Sequence, residues 1–240
     1  PLKGLILKGS KMNNVFFIFF LLVYSCSVEA NIIIDGTRII FPSTNKEISV
    51  RVSNVGDMPS LAQVWVDDGK IQNSTSNDTA PFIVLPPIVR IEPSKGQTFR
   101  LVYSGMSLPH DRESVYWFNL LDIPPEPKNT EEINYLQLSI RSRIKIFFRP
   151  KEIQEKENNP EKSLSWIFDK QKNVITVKNN SPFFITIDSI TVNGEKIVGA
   201  MVPPYSQIDI KNNGSKWNTL PKNVTYTTIN DYGALVKHRI

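Results

Sequence analysis

The stretch Ile48-Ser49-Val50-Arg51-Val52-Ser53 alternates apolar and polar residues, and a turn follows at Asn54-Val55-Gly56-Asp57. Successive side chains of a strand point to opposite faces, so a period of two reads as a β-strand with one buried face. Leu61-Ala62-Gln63-Val64-Trp65-Val66 is the next strand, ended by Asp67-Asp68-Gly69, where the two acids read as a turn pair. Working outward, further strands are predicted at residues 82–85, 88–91, 97–103 and 114–121, and a long one at 135–148. They recur about every ten residues with Pro, Gly, Asn and Asp between them, the pattern of a β-sandwich.

Residues 151–162 (KEIQEKENNPEK) are charged and polar, with few large apolar groups, and read as a linker. Beyond them the alternation resumes at 164–168, 174–177, 183–192, 207–210 and 225–229. Asn193-Gly194 is a strong signal for a two-residue hairpin. The chain is therefore expected to be all-β, with one domain over 31–150, a linker over 151–162 and a smaller domain over 163–240. Pro (17) outnumbers Gly (11) in its 240 residues, and no helix-period stretch exceeds a turn or two. Five Asn-x-Ser/Thr matches are what chance supplies in so Asn-rich a chain.

Residues 1–30 are expected to lie outside the fold, as upstream residues and a signal peptide. Lys3, Lys8 and Lys11 precede an apolar run from Val15 to Tyr24, and Val28-Glu29-Ala30 resembles a small-residue cleavage site. The run is short for a membrane span. Residues 1–11 precede Met12, where such a leader would begin. A retained anchor and a lipid-attachment box around Cys26 are the competing readings. Cleavage after about Ala30 removes Cys26, the only cysteine, so no disulfide or thiolate site is expected in the exported protein. It also removes three Lys and one Glu, leaving 25 basic against 22 acidic residues, a net charge of +3. That balance argues against a bulk nucleic-acid binder.

Catalytic residues are scarce. The only histidines are His110 and His238, and neither sits in a nucleophile, zinc or phosphate motif. No enzyme activity, cofactor or metal site is predicted. The informative residues are cations carried on strands. Arg38 lies within an apolar first strand, and Arg141-Ser142-Arg143-Ile144-Lys145-Ile146-Phe147-Phe148-Arg149-Pro150 closes the first half. Such cations also guard solvated sheet edges. The preceding Leu136-Gln137-Leu138-Ser139-Ile140 fits a core-facing strand or, if exposed, a ladder for strand addition.

These residues resemble the PapD-like periplasmic pilus chaperones. In the family's order stand Gly-Thr-Arg-Ile-Ile-Phe-Pro (36–42), Leu-Ala-Gln-Val-Trp-Val (61–66), Pro-Phe-Ile-Val-Leu-Pro-Pro (81–87) and Leu-Pro-His-Asp-Arg-Glu-Ser-Val-Tyr-Trp-Phe-Asn (108–119). Ile-Pro-Pro (123–125), Arg-Ile-Lys-Ile-Phe-Phe-Arg-Pro (143–150) and Ile-Asn-Asp-Tyr-Gly-Ala (229–234) follow. The resemblance implies two immunoglobulin-like β-sandwich domains set at an angle, boomerang-fashion, around a subunit-binding cleft. It implies that Arg38 and Lys145 anchor the C-terminal carboxylate of a pilus (fimbrial) subunit. Leu136, Leu138 and Ile140 would be the donor-strand residues, and Glu113, Arg149 and Asp231 an ionic link between the domains. The short connection 124–134 resembles the short-loop subclass.

The implied function is a periplasmic chaperone that binds, folds and caps subunits by donor-strand complementation. It would deliver them to the outer-membrane usher, with a self-capping dimer as an open possibility for the unoccupied protein. No membrane insertion is expected after leader removal. The alternative is a related exported immunoglobulin-like protein that binds a nonpilus polypeptide or a glycan. Lys145 has the opposite parity to Leu136, Leu138 and Ile140, so a bulge, strand twist or domain corner is expected between them.

Overall fold

The computed structural model describes residues 31–70, 80–126, 136–154, 159–212 and 223–240. Expectations on the leader, on Tyr135 and on most of the 124–134 connection lie outside these residues. Four sheets form two sandwiches. In the first, β1 (Ile32–Ile34), β3 (Glu47–Asn54), β7 (Gly96–Tyr103) and β5 (Phe82–Leu85) are ordered β1-β3-β7-β5. The facing sheet is built from β2 (Arg38–Pro42), β9 (Ile140–Arg149), β8 (Ser114–Ile123), β4 (Ser60–Asp67) and β6 (Ile88–Ile91), in that order. The strand expected around Arg38 is β2, and a further short strand, β1, precedes it in the other sheet. The chain changes sheet at Asp35-Gly36-Thr37, where Gly36 adopts φ +104°, a conformation that glycine takes without strain. β1 pairs antiparallel with β3, whereas β2 joins β9 in parallel.

The alternation read from sequence is the burial pattern. Val50 and Val52 are buried from β3, and Ala62, Val64 and Val66 from β4, against Phe99, Leu101, Phe118, Leu120 and Ile146. Full burial of each large side chain contributes about 1.5–3 kcal/mol. At one end Phe41, Phe82, Tyr103 and Phe148 stack or meet edge to face, with centroids 4.8–6.3 Å apart.

The second sandwich sets β10 (Leu164–Asp169), β11 (Val174–Asn179) and β15 (Gln207–Lys211) against a five-stranded sheet. In that sheet β13 (Glu195–Val198), β12 (Ile185–Val192), β16 (Val224–Ile229) and β17 (Leu235–Arg239) run in order, and β14 (Met201–Val202) also pairs with β12. Asn193 and Gly194 take φ +51° and +91° and close the β12–β13 hairpin through the Val192–Glu195 pair. The core is Ile175, Val177, Ile185, Ile187, Ile190 and their neighbours. Within the expected linker lie a short helix, α1 (Lys151–Gln154), and a 3₁₀ turn at Pro160–Ser163. Ile153 of α1 is only 1% exposed.

Several strands differ from expectation. The long strand predicted at 135–148 is regular only from Ile140, because its partner β8 runs into Pro124-Pro125. Proline has no N–H to offer a ladder, and Asp122–Ile140 is the last pair. Phe183 and Phe184 stay outside β12, since side chains take their backbone groups. Asn179 Nδ2 donates to the Phe183 carbonyl (2.7 Å), and the Phe184 N–H donates to Glu113 Oε2 (2.8 Å). β17 was not predicted, and its mostly exposed side chains explain why no alternation marks it.

Candidate functional site

β2 and β9 lie side by side in parallel register, which makes Arg38 and Lys145 direct Cα partners. Ile39 and Ile146 point into the core, so Arg38 and Lys145 lie on the opposite, outer face of the sheet, both half-buried. The Arg38 guanidinium lies over the Phe147 ring (5.7 Å) and donates from Nη1 to the Ile229 carbonyl at 3.0 Å. Its Nε is buried without a hydrogen-bond partner. The Lys145 ammonium lies 5.3 Å from the Trp117 ring centroid. Gly69 makes room for that indole: a Cβ there would stand 2.5 Å from Trp117 Nε1, and φ is +84°.

Burial lowers the Arg38 pKa, against the pull of Asp231 and Glu113. Burial also lowers Lys145, and the neighbouring Arg38 charge adds to the effect. Among the described residues neither cation forms an ion pair. Two adjacent, partly desolvated cations with no ion-pair partner have the chemistry to accept a carboxylate. Arg supplies a planar fork and Lys a point charge.

Glu113, Arg149 and Asp231 form one cluster. Arg149 Nε donates to Glu113 Oε1 at 2.8 Å and Nη1 to Asp231 Oδ2 at 2.7 Å. Glu113 and Arg149 are buried, and the Arg149 guanidinium covers the Phe183 ring at 5.1 Å. Glu113 also receives the Phe184 N–H, and its own N–H donates to the Pro182 carbonyl at 2.9 Å. Burial pushes the Glu113 carboxyl up to about 7, opposed by the Arg149 charge and the Phe184 N–H. Burial alone would lower Arg149, but the hydrogen bond to Asp231 and the Glu113 charge hold it above the ordinary arginine value. The carboxylates thus come from the first sandwich (Glu113) and from the turn between β16 and β17 (Asp231). That turn packs closely on the root of Arg38, where a Cβ on Gly233 would lie 2.5 Å from Thr37 Oγ1.

Leu136 and Leu138 are 81% and 62% exposed, and Ile140 is half-buried as the first residue of β9. The register between β8 and β9 runs without a break from Asp122–Ile140 to Ser114–Phe148. β9 therefore contains no bulge from Ile140 to Phe148, and Leu136 and Leu138 precede it outside any strand. Ile140, Ile144 and Ile146 share the core face, and Arg141, Arg143 and Lys145 share the outer face. β2 covers the edge of β9 only from Lys145 to Arg149, so among the described residues 140–144 are paired on the β8 side alone.

Asp67 and Asp68 do close the turn, accepting the Gly69 N–H (2.9 Å) and the Lys70 N–H (3.0 Å), but Asp67 has a second role. It is buried, accepts Asn119 Nδ2 (2.9 Å) and Arg141 Nη2 (3.1 Å), and pairs with Arg143. Arg141 covers the Trp65 ring at 4.9 Å and Arg143 covers Trp117 at 4.3 Å. This lattice is what the sequence reading missed. Its signal was present in the shared parity of Trp65 and Asp67, but only the pairing of β4, β8 and β9 brings their partners together.

Residues 31–154 match the family described as the pili and flagellar-assembly chaperone, PapD N-terminal domain, and residues 159–240 the pili assembly chaperone PapD, C-terminal domain. The chain belongs to the PapD family of pilus-assembly chaperones. It is 38% identical to the chaperone protein MrkB of Klebsiella pneumoniae, over 93% of this chain and 97% of the relative. Identity to the probable fimbrial chaperone YadV of Escherichia coli K12 is 35%, over 90% and 92%. The crystal structure of the YadV chaperone superposes with a TM-score of 0.74 at 34% identity, over 88% of this chain and all of that one. The Salmonella enterica SafB chaperone, solved in complex with the SafA pilin, gives 0.72 at 28% identity over 87% and 96%. As a PapD-family member the protein is a fimbrial chaperone with two immunoglobulin-like domains, from a family of periplasmic proteins that are not enzymes.

Proposed function

We propose that this chaperone holds a pilus subunit through β2, β9 and the residues that lead into β9. Arg38 and Lys145 bind the subunit's C-terminal carboxylate, and Leu136, Leu138 and Ile140 fill an open apolar groove in the subunit. The observation that carries this reading is the pairing of two half-buried cations, neither matched by an acid, beside a strand with one open edge. An incoming strand gains register from backbone pairing on that edge and affinity from alternate side chains. Each apolar donor contributes about 1.5–3 kcal/mol if fully buried. Family membership adds weight, since the related SafB is solved with a pilin.

Glu113, Arg149 and Asp231 act as the link between a domain of residues 31–150 and one of 163–240, joined by 151–162. The protein is exported by a leader cleaved after about Ala30, works in the periplasm and passes subunits to an outer-membrane usher. Without a subunit, the exposed Leu136–Leu138 ladder is the surface that a second copy would cover. The test is pull-down of the tagged chaperone co-expressed with a pilus subunit from the same bacterium. Arg38→Ala and Lys145→Ala should each give a folded protein that recovers at least tenfold less subunit. Normal recovery by both variants would sink the anchoring role.

A further inference from the structure

A cavity of about 290 Å³ opens beside Arg38 and Arg149. That lies near the lower end, about 300 Å³, of the range found for small-ligand sites. Its apolar lining comes from Phe147, Phe183, Ile185, Ile229 and Val236, and His238 and Glu161 add polar groups. His238 is already engaged, with Nε2 2.8 Å from Thr228 Oγ1 and its ring stacked on Tyr226 at 4.7 Å.

The two cations at the cavity differ. Arg149 is matched by the carboxylates of Glu113 and Asp231. Arg38 has a backbone carbonyl as its hydrogen-bond partner and a buried Nε with none. At Arg38 the cavity wall therefore sets a cation without an ion-pair partner next to apolar surface, with Glu113, Asp231 and Glu161 also in the lining and the first two acting on Arg38 through space. Its chemical complement is a carboxylate with an apolar group attached within one or two bonds. The last residue of a polypeptide has that form, because carboxylate and side chain share one Cα. Lys145 does not line the cavity, and its ammonium lies over Trp117, so the space beside the anchor is on the Arg38 side.

We infer that this cavity receives the side chain of the subunit's last residue and favours an apolar one about the size of leucine. The inference rests on the reading of Arg38 as the carboxylate site. It makes Ile185, Ile229 and Val236 specificity-determining residues, a role separate from the lent strand.

Methyl NMR titration of the purified chaperone tests it with N-acetyl-leucine, N-acetylglycine and N-acetyl-leucinamide. N-acetyl-leucine should shift the Ile185, Ile229 and Val236 methyls and bind about tenfold tighter than N-acetylglycine. Val236→Trp, which fills the cavity from an edge strand, should bring that ratio close to one. Equal affinities for the two acids, with the amide weaker than both, would overturn the cavity assignment while leaving the carboxylate reading in place. An amide that binds as well as its acid would overturn the reading of Arg38 and this inference with it. Absence of binding by all three probes would do the same.

Discussion

Lys145 and Arg38 are neighbours with the same charge, yet they respond differently to pH. Burial and the adjacent guanidinium lower the Lys145 pKa, whereas an arginine stays charged throughout the accessible range. A bound carboxylate would favour the ammonium and raise that pKa again. Capture should therefore be complete below the lowered value and fall as pH rises through it, before an ordinary lysine would titrate. The folded chain alone responds with the opposite sign. Between the lowered value and the ordinary one its unfolded state holds more protons, so stability from this group rises with pH. Subunit binding followed by fluorescence from pH 7 upward should show the loss in the parent and a flat profile in Lys145→Arg. A flat profile in both would mean that the ammonium takes no part in binding.

At the scale of the element, β9 does two jobs because a strand has two faces. One face carries Ile144, Ile146 and Phe148 into the core, and the exposed Leu136 and Leu138 precede the strand. The other carries Arg141, Arg143 and Lys145 over the indoles of Trp65 and Trp117. Charges flanking an open edge also discourage pairing with unrelated strands. Leu138→Asp should weaken subunit capture at least tenfold. Because Leu138 is exposed, the same change should alter unfolding free energy by less than about 0.5 kcal/mol. A larger loss in urea titration would assign Leu138 to the core instead. In Asp67→Ala, Arg141 and Arg143 lose their shared carboxylate, and hydrogen exchange at the amides of 140–144 should quicken at least tenfold. Unchanged exchange would mean that the lattice does not hold the open edge.

At the scale of the whole molecule, the Glu113–Arg149–Asp231 cluster ties β8 and β9 to the turn after β16. Desolvation offsets most of what such a cluster gains, but removing one partner strands a buried charge. Arg149→Ala should cost about 3–5 kcal/mol in urea unfolding. Combining Arg149→Met with Glu113→Gln should recover most of that stability without restoring capture. Asp231 then loses its hold, and the Ile229 carbonyl is no longer fixed against Arg38. Full recovery of capture in the double variant would show that the cluster contributes stability alone.

Much of the fold was legible from chemistry that acts over a few residues. The period-two patterns at 48–53 and 61–66, the Asn193-Gly194 turn and the proline stops depend on backbone geometry and local burial, which neighbouring residues set among themselves. The cations of β2 and β9 were visible as candidates, with a resemblance to indicate their roles. Their environment was not, because Arg38 and Lys145 are 107 residues apart in the chain and meet only through a parallel pairing. Parity alone pointed to a bulge, strand twist or domain corner, whereas the uninterrupted β8–β9 register leaves no bulge between Ile140 and Phe148, and Leu136 and Leu138 precede the strand. Asp67 is the turn residue its neighbours announce, but only β4, β8 and β9 lying side by side place two arginines on it as well. Which residues alternate and where strands stop follows from the order of residues along the chain. Tertiary structure decided which charges are buried together, because desolvation and pairing depend on neighbours that only the folded chain supplies.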